Sequence, residues 1–264
     1  MYMEETRVYA VVTGATSGIG LEFARLFAAD GIHLVLAARG KAELEQVAKE
    51  LREGFDIDVH ILSLDLSLQS DAEKLYAYTK EQELPVSYMI NNAGFGDYGD
   101  FIKSSWQKEQ SMINLNITTL TYFSKVYGQQ FAHAGFGHIV NVASTAAFQP
   151  GPLMAVFYAT KSYVLHFSEA IATELHASGV RVTALCPGPT ASKFQEAAAM
   201  SDSKLVQGKK LPTAAEVARY GYKSMKRGRV VAIHGTGNKF GAYAVRFLPR
   251  RAVRAIVHRA QASK

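Results

Sequence analysis

A glycine-rich turn follows the first apolar run of the chain and has the composition of a phosphate-binding loop. Val8–Val12 leads directly into Thr13-Gly14-Ala15-Thr16-Ser17-Gly18-Ile19-Gly20, where a helical pattern begins. The glycines permit a tight turn and let the backbone approach a pyrophosphate, and the positive end of the helix dipole stabilises the anion. The spacing differs from the Gly-x-Gly-x-x-Gly of ordinary dinucleotide-binding domains. We predict a dinucleotide at this turn; the alternative is a turn that is structural only.

The end of the second apolar run indicates which dinucleotide binds. Dehydrogenases that use NAD usually carry an acid there, which accepts a hydrogen bond from the ribose 2′-hydroxyl group. This chain instead has Ala37-Ala38-Arg39-Gly40-Lys41. The Arg39 guanidinium can form a bidentate pair with a 2′-phosphate, and Lys41 adds positive charge nearby. We therefore predict NADPH/NADP+ rather than NADH, the alternative being an arginine that is merely exposed in a loop.

Short runs rich in Val, Ile and Leu alternate with amphipathic stretches along most of the chain. Such runs are typical of parallel strands that are covered on both faces. The alternation predicts an α/β, doubly wound Rossmann-type fold, in which a seven-stranded parallel sheet is flanked by helices and ligands bind at the carboxyl ends of the strands. The predicted strands are Val8–Val12, Ile32–Ala37, Asp58–Leu62, Val86–Ile90, His138–Val142, Val180–Leu185 and Val230–His234. The predicted helices are Ile19–Ala29, Ala42–Leu51, Asp71–Glu83, Ile113–Ala134, Phe157–Ser178 and Ala214–Lys226.

Further motifs complete a pattern that resembles a known family. Asn91-Asn92-Ala93-Gly94 ends the fourth predicted strand, Ser144 follows the fifth, and Phe157-Tyr158-Ala159-Thr160-Lys161 comes next. Together with the glycine-rich turn, they resemble the short-chain dehydrogenase/reductase family over nearly the whole chain. The resemblance implies an enzyme that interconverts a ketone or aldehyde and its alcohol with a nicotinamide cofactor, and a homo-oligomer, either a dimer or a tetramer. We expect residues 1–239 to form one NAD(P)-binding domain with a mobile substrate loop at 190–212, and residues 240–264 to form a basic extension.

The resemblance also implies roles around the reacting carbonyl group. Ser144 would donate a hydrogen bond to the substrate oxygen, and Lys161 would hold the nicotinamide ribose. Asn116 would hold its helix and a water molecule that links Lys161 to solvent, whereas Asn114 fits the family pattern less well and is interpreted as structural. The implied catalytic positions are Asn116, Ser144, Phe157 and Lys161.

The cofactor contacts follow from the same resemblance. Asp65 would hold the adenine amino group, unless it only caps the helix that starts near Ser70. The Asn-Asn-Ala-Gly loop would lie against the ribose, and Pro187-Gly188-Pro189-Thr190 would lie against the nicotinamide carboxamide. The implied contacts are Gly14, Thr16, Ser17, Gly18, Ile19, Gly20, Arg39, Asp65, Leu66, Asn92, Ala93, Gly94, Lys161, Pro187, Gly188 and Thr190.

Phe157 occupies the position where the family carries its catalytic tyrosine. A phenol can protonate the carbonyl oxygen when a nearby cation lowers its pKa, and a lysine four residues later on a helix projects from the same face. Phe157 keeps the ring and lacks the hydroxyl group. Tyr158 is a poor substitute, because one position along a helix rotates a side chain by about 100°. We expect the cofactor to bind and turnover to fall by roughly 10²–10⁴-fold, in a variant that is inactive or weakly active. So conservative a change resembles an engineered inactivation, and a natural substitution stays open; the alternative function is a non-catalytic dinucleotide-binding sensor or scaffold.

Apolar residues in loops at the carboxyl ends of the strands are candidates for the substrate-binding walls. They suit a lipophilic ketone or aldehyde, although ordinary loop packing explains any one of them equally well. The candidates are Phe95, Tyr98, Phe148, Leu153, Met154 and Phe194.

Composition limits the remaining classes. The 264 residues are 48% hydrophobic and contain one cysteine, Cys186, which excludes an internal disulfide and a cysteine-based zinc site. No metal is expected. The short acidic N-terminus is unlike a signal peptide, and no apolar run of about 18 residues is long enough to cross a bilayer. We expect a cytoplasmic protein.

The positive charge is concentrated near the C-terminus. No acidic residue follows Glu216, whereas twelve Lys or Arg residues do. Val253, Ile256, Val257 and Ala260 form an apolar stripe flanked by arginines. A basic amphipathic helix of this kind can lie on an anionic membrane, cover the substrate cleft or contact another subunit. A solvated basic surface is the simplest interpretation, and no nucleic-acid partner is expected.

Overall fold

A seven-stranded parallel sheet forms the centre of the molecule. The computed structural model describes residues 7–194, 198, 208 and 210–261. The strands lie in the order β3-β2-β1-β4-β5-β6-β7, which confirms the predicted doubly wound topology. The strands are β1 Tyr9–Thr13, β2 His33–Ala38, β3 Val59–Ser63, β4 Val86–Asn91, β5 Gly137–Val142, β6 Val180–Cys186 and β7 Val231–Ile233.

Helices cover both faces of the sheet. The α-helices of the described residues are α1 Gly18–Ala29, α2 Lys41–Gly54, α3 Gln69–Glu81, α4 Trp106–Ile113, α5 Leu120–Ala134, α6 Ala155–Leu175, α7 Ala214–Lys226, α8 Thr236–Ala244 and α9 Arg250–Gln261. Phe23 and Phe27 of α1 pack on one face together with apolar residues of α2 and α7. Phe123 and Tyr127 of α5 pack on the other face, with Leu75 of α3 and Ala172 of α6.

The helix predicted at Ile113–Ala134 differs most from the structure. It begins earlier, as α4, and passes through a π-helical segment, Asn114–Thr119, before continuing as α5. A π-helical segment widens the helix by one residue per turn and is frequent at functional sites. The 3.6-residue apolar period does not reveal such an insertion, so the sequence predicted one regular helix. Most of the predicted substrate loop at 190–212 lies outside the described residues.

A buried polar network joins the two central strands to the helices behind them. Asn91 at the end of β4 donates a hydrogen bond to the Asn141 side chain of β5 at 2.8 Å. Asn141 in turn donates to the Ser168 hydroxyl of α6 at 2.9 Å. These groups are shielded from water, so each hydrogen bond offsets a desolvation cost that an unpaired amide would incur. The network fixes α6, which carries Phe157 and Lys161, against the end of the sheet.

The C-terminal extension packs onto the domain. Val253 is buried, Val257 packs against the apolar cluster that contains Phe157, and the Tyr98 hydroxyl donates to the Gln261 carbonyl oxygen at 2.7 Å. Ile256, from the same predicted stripe, is 55% exposed. The segment therefore packs against the apolar cluster that contains Phe157, a contact that the role of covering the cleft requires. Within the described ranges, no helix has the length and apolarity needed to cross a bilayer.

Candidate active site

The glycine-rich turn is held by the loop that follows β4. The Thr13 hydroxyl accepts hydrogen bonds from the backbone N–H groups of Asn92 and Ala93, both at 3.0 Å. The Asn92 amide donates to the carbonyl oxygens of Thr13 at 2.9 Å and Gly14 at 3.2 Å. Gly14 has φ of +65°, and a Cβ there would lie 2.9 Å from the Asn92 amide nitrogen. Only glycine fits this position. The glycine-rich turn before α1 and the loop after β4 therefore pack directly against each other.

The turn has the local features needed to accept a phosphate. α1 begins at Gly18, and the side chain of its N-cap residue, Ser17, makes no capping hydrogen bond. The first N–H groups of a helix then remain available to a ligand, at the positive end of the helix dipole. Thr16 and Ile19 are half-buried in the same turn. A Cβ at Gly20 would clash with the Asn92 side chain, so glycine is also required at this position. Together these residues fit the pyrophosphate of a nicotinamide dinucleotide.

Arg39 lies at the carboxyl end of β2 with its side chain exposed. Its carbonyl oxygen accepts a hydrogen bond from the Ser63 hydroxyl at 2.8 Å, which ties this turn to the end of β3. Among the described residues, no carboxylate forms an ion pair with the Arg39 guanidinium, whereas Lys41 lies 3.8 Å from Glu45. Of the two cations on this turn, Arg39 is therefore the one with no carboxylate among the described residues to compete with a bound phosphate.

Asp65 makes a local turn and does not cap a helix. Its carboxylate accepts from the Ser67 backbone N–H at 3.0 Å and from the Ser67 hydroxyl at 2.8 Å. The N-cap residue of α3 is Leu68. The alternative interpretation, in which Asp65 caps a helix near Ser70, is therefore wrong. Leu66 is buried, and its carbonyl oxygen accepts from the Thr119 hydroxyl at 2.6 Å.

Asn116, and not Asn114, reaches the predicted active site. The Asn116 amide donates to the Phe95 carbonyl oxygen at 3.0 Å and to the Thr160 hydroxyl at 3.1 Å. A Cβ at Gly94 would lie 2.9 Å from the Asn116 side-chain oxygen and 3.5 Å from the Lys161 Nζ atom, so both groups flank Gly94. Asn116 lies in the π-helical segment and contacts Thr160 of α6. The sequence favoured Asn116 over Asn114 only because it fits the family pattern better.

Lys161 is buried behind the end of β5. Its Nζ atom donates to the Val142 carbonyl oxygen at 2.7 Å. Burial lowers the pKa of Lys161 from its ordinary value to about 8. Ser144, two residues after Val142, accepts from the Ala146 N–H at 3.1 Å and donates to the Pro187 carbonyl oxygen at 3.4 Å. The structure thus brings Ser144 and Lys161 to the same end of β5, as the sequence predicted.

The Pro187–Thr190 segment lies beside Ser144. Pro187 accepts hydrogen bonds from Ser144 and from the Thr145 backbone N–H, the latter at 2.8 Å. The Thr190 hydroxyl donates to the Gly188 carbonyl oxygen at 2.9 Å and is buried. A Cβ at Gly188 would lie 2.5 Å from the Asn238 side chain, so this strand end also contacts α8.

Phe157 lies one helical turn before Lys161 and is nearly buried, at 7% exposure. The Lys161 Nζ atom is 5.8 Å from the centroid of the Phe157 ring. The ring packs against Phe194, with 5.4 Å between centroids, and lines a small cavity of about 20 Å³ together with Glu109 and Met112. The position predicted for a proton donor therefore carries a hydrocarbon ring next to a buried amine.

Tyr158 lines a different cleft. Its ring packs against Gly151, and its hydroxyl makes no hydrogen bond with any described residue. Burial alone raises the pKa of Tyr158 to about 12, and no nearby cation opposes that shift. A phenol with so high a pKa and no lysine beside it is a poor proton donor, in agreement with the rotation argument from the sequence.

The structure gathers most of the candidate substrate walls and separates one. Phe95, Tyr98, Met154 and Phe194 belong to the apolar cluster around Phe157. Leu153, whose φ of +68° is unusual for a non-glycine residue, lines the cavity beside Phe157. Phe148 packs instead against the cluster of α6 and β6 and lines the Tyr158 cleft, so it lies apart from the other candidates.

Some residues beside Phe157 were missed by sequence reasoning. Met112 and Glu109 come from α4, and Val257 comes from α9. Glu109 is buried and accepts a hydrogen bond from the Ser104 hydroxyl at 2.5 Å. A lone buried acid on an amphipathic helix has no distinctive sequence signal. In the part of the chain that the structure describes, no group of three or more His, Cys, Asp or Glu side chains is arranged to hold a metal ion.

Comparison with known proteins agrees with this geometry. The family model for the short chain dehydrogenases matches residues 8–202. The chain is 28% identical over 182 residues to the 7beta-hydroxysteroid dehydrogenase of Mediterraneibacter gnavus, an alignment that covers 69% of this chain and 68% of that protein. The chain belongs to the short-chain dehydrogenase family, whose nicotinamide dinucleotide fits the turn described above.

Two solved structures are similar over almost the entire fold. A short-chain dehydrogenase from Sphingobium yanoikuyae in complex with NADPH is 29% identical, with a TM-score of 0.82 and coverage of 98% of this chain and 99% of that one. A bulky-bulky ketone specific alcohol dehydrogenase from Comamonas testosteroni is 28% identical, with a TM-score of 0.78 and coverage of 90% and 92%. At 98% coverage, the similarity to the Sphingobium yanoikuyae structure extends beyond residue 202 into the C-terminal helices.

The buried amine predicts a specific pH dependence of stability. Since the pKa of Lys161 is about 8 in the folded chain and about 10.5 when unfolded, the unfolded state binds the extra proton between these values. In the cofactor-free protein, the free energy of unfolding should therefore rise with pH in this window relative to Lys161→Met, by up to about 3 kcal/mol. Urea unfolding at several pH values measures the difference. The exposed Lys41→Met is the control for removing a lysine charge. If the stabilities of the unmodified protein and of Lys161→Met change with pH in parallel, the buried-amine assignment is contradicted.

Proposed function

We propose that this chain is an NADPH-dependent oxidoreductase scaffold for a lipophilic ketone or aldehyde and its alcohol, weakly active or inactive because Phe157 replaces the proton donor. The observation that carries the proposal is the arrangement of Ser144, Phe157 and Lys161 at one end of β5. Ser144 and Lys161 have hydrogen bonds that hold them in place, and Phe157 lies one turn from the amine. A site that keeps Ser144 and Lys161 but lacks a hydroxyl group at position 157 fits a reductase that has lost only its proton donor.

The residues divide the work of carbonyl reduction between them. The cofactor, when bound, supplies a hydride to the carbonyl carbon. The Ser144 hydroxyl can orient the substrate oxygen by donating a hydrogen bond to it, and Lys161 can hold the ribose hydroxyl groups. Apolar side chains around Phe157 exclude water from the reacting carbonyl group. The oxygen that gains charge as hydride arrives then has no acidic hydroxyl group at position 157, so proton delivery becomes the slow event.

The substrate class is supported by the composition of the cluster around Phe157. Met112, Met154, Phe95 and Phe194 form an apolar cluster with Phe157, although Asp97, Ser104 and Glu109 also line the adjoining cavity. Methionine and aromatic side chains adapt to bulky apolar ligands and offer few polar contacts that would select a small polar one. The names of the two relatives, a 7beta-hydroxysteroid dehydrogenase and a bulky-bulky ketone specific alcohol dehydrogenase, are consistent with a large lipophilic carbonyl compound.

The second candidate function is a non-catalytic dinucleotide sensor or scaffold. It is favoured by the same residue, because Phe157 leaves the cofactor-holding groups untouched while it removes the hydroxyl group. The two functions differ in what a single restored oxygen atom does. If the chain is a reductase that lacks its proton donor, Phe157→Tyr restores turnover. If the chain is a sensor, Phe157→Tyr gives no turnover, because no surface positions a carbonyl group.

Restoring the hydroxyl group tests the enzyme proposal. Phe157→Tyr should raise the rate of NADPH oxidation with bulky hydrophobic ketones by at least about 100-fold, the lower end of the range for a general acid. Addition of Tyr158→Phe to this variant should leave the gain unchanged, since that hydroxyl group lies in another cleft. Addition of Lys161→Met should remove it. If no ketone, aldehyde or alcohol in a broad panel reacts with the Phe157→Tyr protein, the sensor becomes the better proposal.

The cofactor preference is tested at Arg39. NADPH should bind more tightly than NADH, and Arg39→Ala should weaken NADPH by about 10–100-fold while it changes NADH little, because a charge-assisted bidentate pair contributes about 1.5–3 kcal/mol. Fluorescence titration of both nucleotides measures this. Lys41→Ala is a matched control on the same turn and should have a smaller effect. Equal affinities for NADPH and NADH in the unmodified protein would refute the assignment.

Association of the chain with itself and with membranes remains a prediction. We propose a cytoplasmic homo-oligomer, a setting that suits the buried, free Cys186. Phe240, Phe247 and Ile256 are exposed near the basic C-terminus and could enter an anionic membrane surface. Sedimentation velocity and co-pelleting with anionic vesicles measure the two properties. A species of 28.8 kDa at all concentrations would rule out the oligomer, and equal pelleting with neutral and anionic vesicles would rule out the charge-driven membrane contact.

A further inference from the structure

A second cleft lies on the side of α6 that carries Tyr158. Its volume is about 550 Å³, within the range of about 300–1,000 Å³ that is usual for small-molecule sites. The 147–152 loop forms one wall, α6 forms the floor, and the C-terminal segment forms the opposite wall. We call it the α6 cleft. Its lining does not include the glycine-rich turn, Ser144 or Phe157, so it is separate from the proposed reductase site.

The rim of the α6 cleft is positively charged. Arg250 and Arg254 lie one helical turn apart on α9, and Arg246 lies in the turn that precedes this helix; all three line the cleft. None of them forms an ion pair with a carboxylate of the described residues. Of the described residues that line the cleft, none is acidic. Three neighbouring guanidinium groups repel one another, and an anion between them would relieve that repulsion.

Apolar residues make up much of the lining of the α6 cleft. Phe148, Pro152, Leu165 and Val245 are among them, while Gln149, Ser162 and His166 add polar groups. Tyr158 adds its ring and a hydroxyl group that has no hydrogen-bond partner among the described residues, although the residue is only 7% exposed. A ligand with one polar end and an apolar body would match this surface, since its body would cover the apolar walls while its head meets the charged rim.

We propose that the α6 cleft binds a soluble single-chain anionic amphiphile, of the class of fatty-acid carboxylates, with the carboxylate on Arg250 and Arg254 and the chain over Phe148 and Leu165. Guanidinium groups pair with carboxylates through two parallel hydrogen bonds, which fits a rim of arginines better than one of lysines. A second copy of the chain is a weaker occupant. A two-fold contact centred on the cleft would bring the two unpaired arginine clusters toward each other, which is electrostatically unfavourable.

The test uses the full chain and dodecanoate as the probe, below its micelle concentration, in isothermal titration calorimetry. Dodecanoate should bind with a stoichiometry of one per chain, and dodecanol and dodecyltrimethylammonium should bind at least about tenfold more weakly. Arg250→Gln with Arg254→Gln should weaken dodecanoate by at least about tenfold, the effect of losing roughly 1.4 kcal/mol. Arg251→Gln with Arg259→Gln removes the same charge from the same helix outside the cleft and should change the affinity by less than about twofold.

Two further measurements show whether dodecanoate binds in the α6 cleft or in the cofactor site. Ala159→Trp, which places a bulky ring in the cleft from an exposed helix position, should abolish dodecanoate binding and leave NADPH affinity unchanged. NADPH at saturation should not displace dodecanoate. The proposal is overturned if dodecanoate fails to bind, or if NADPH displaces it. The proposal is also overturned if the two arginine double variants lose equal dodecanoate affinity. It is overturned as well if free dodecanoate does not bind while anionic vesicles bind the protein equally with and without Ala159→Trp.

Discussion

The hydrogen bond from the Lys161 amine to the Val142 carbonyl oxygen holds the centre of the candidate site together. Because the amine is buried, it must keep a partner, and the end of β5 provides one. This contact sets the position of α6 relative to the strand that leads to Ser144. It also sets the position of Phe157, one helical turn earlier on the same face. The buried Asn91–Asn141–Ser168 network reinforces the same alignment from behind the sheet.

The sequence predicted the parts of the structure that depend on local rules. Short apolar strands, glycine turns and their order along the chain identified the sheet, and parallel topology then brought Gly14, Asn92, Ser144 and Lys161 to one edge. Position along α6 also separated Phe157 from Tyr158, since helical rotation is a local property. Arg39 was predicted to pair with a 2′-phosphate at the end of the second strand; the structure places it at the end of β2 with its side chain exposed, and the pairing stays a prediction.

The remaining features depend on contacts between distant segments. The family pattern favoured Asn116 over Asn114, but the π-helical segment and the contact of Asn116 with Thr160 are seen only in the structure. Phe148 follows the same strand as Ser144 and yet turns toward α6, which no loop pattern specifies. The contact of Tyr98 with Gln261 joins residues 163 positions apart in the chain. An amphipathic stripe shows that α9 has a face to bury, but the partner of that face is set by the rest of the fold.

The central claim is that the site lacks one proton donor and nothing else, and a series of ketones tests it most directly. Trifluoromethyl ketones give product alcohols that are far more acidic than those of the parent ketones, so their reduction depends less on a general acid. The measurement is the ratio of kcat/KM for Phe157→Tyr to that of the unmodified chain, across matched aryl methyl and aryl trifluoromethyl ketones. The account predicts a large ratio for the methyl ketones that falls steeply for the trifluoromethyl ketones. A ratio that stays constant across the series would mean that residue 157 acts through packing or binding, and would contradict the assignment of the missing proton donor.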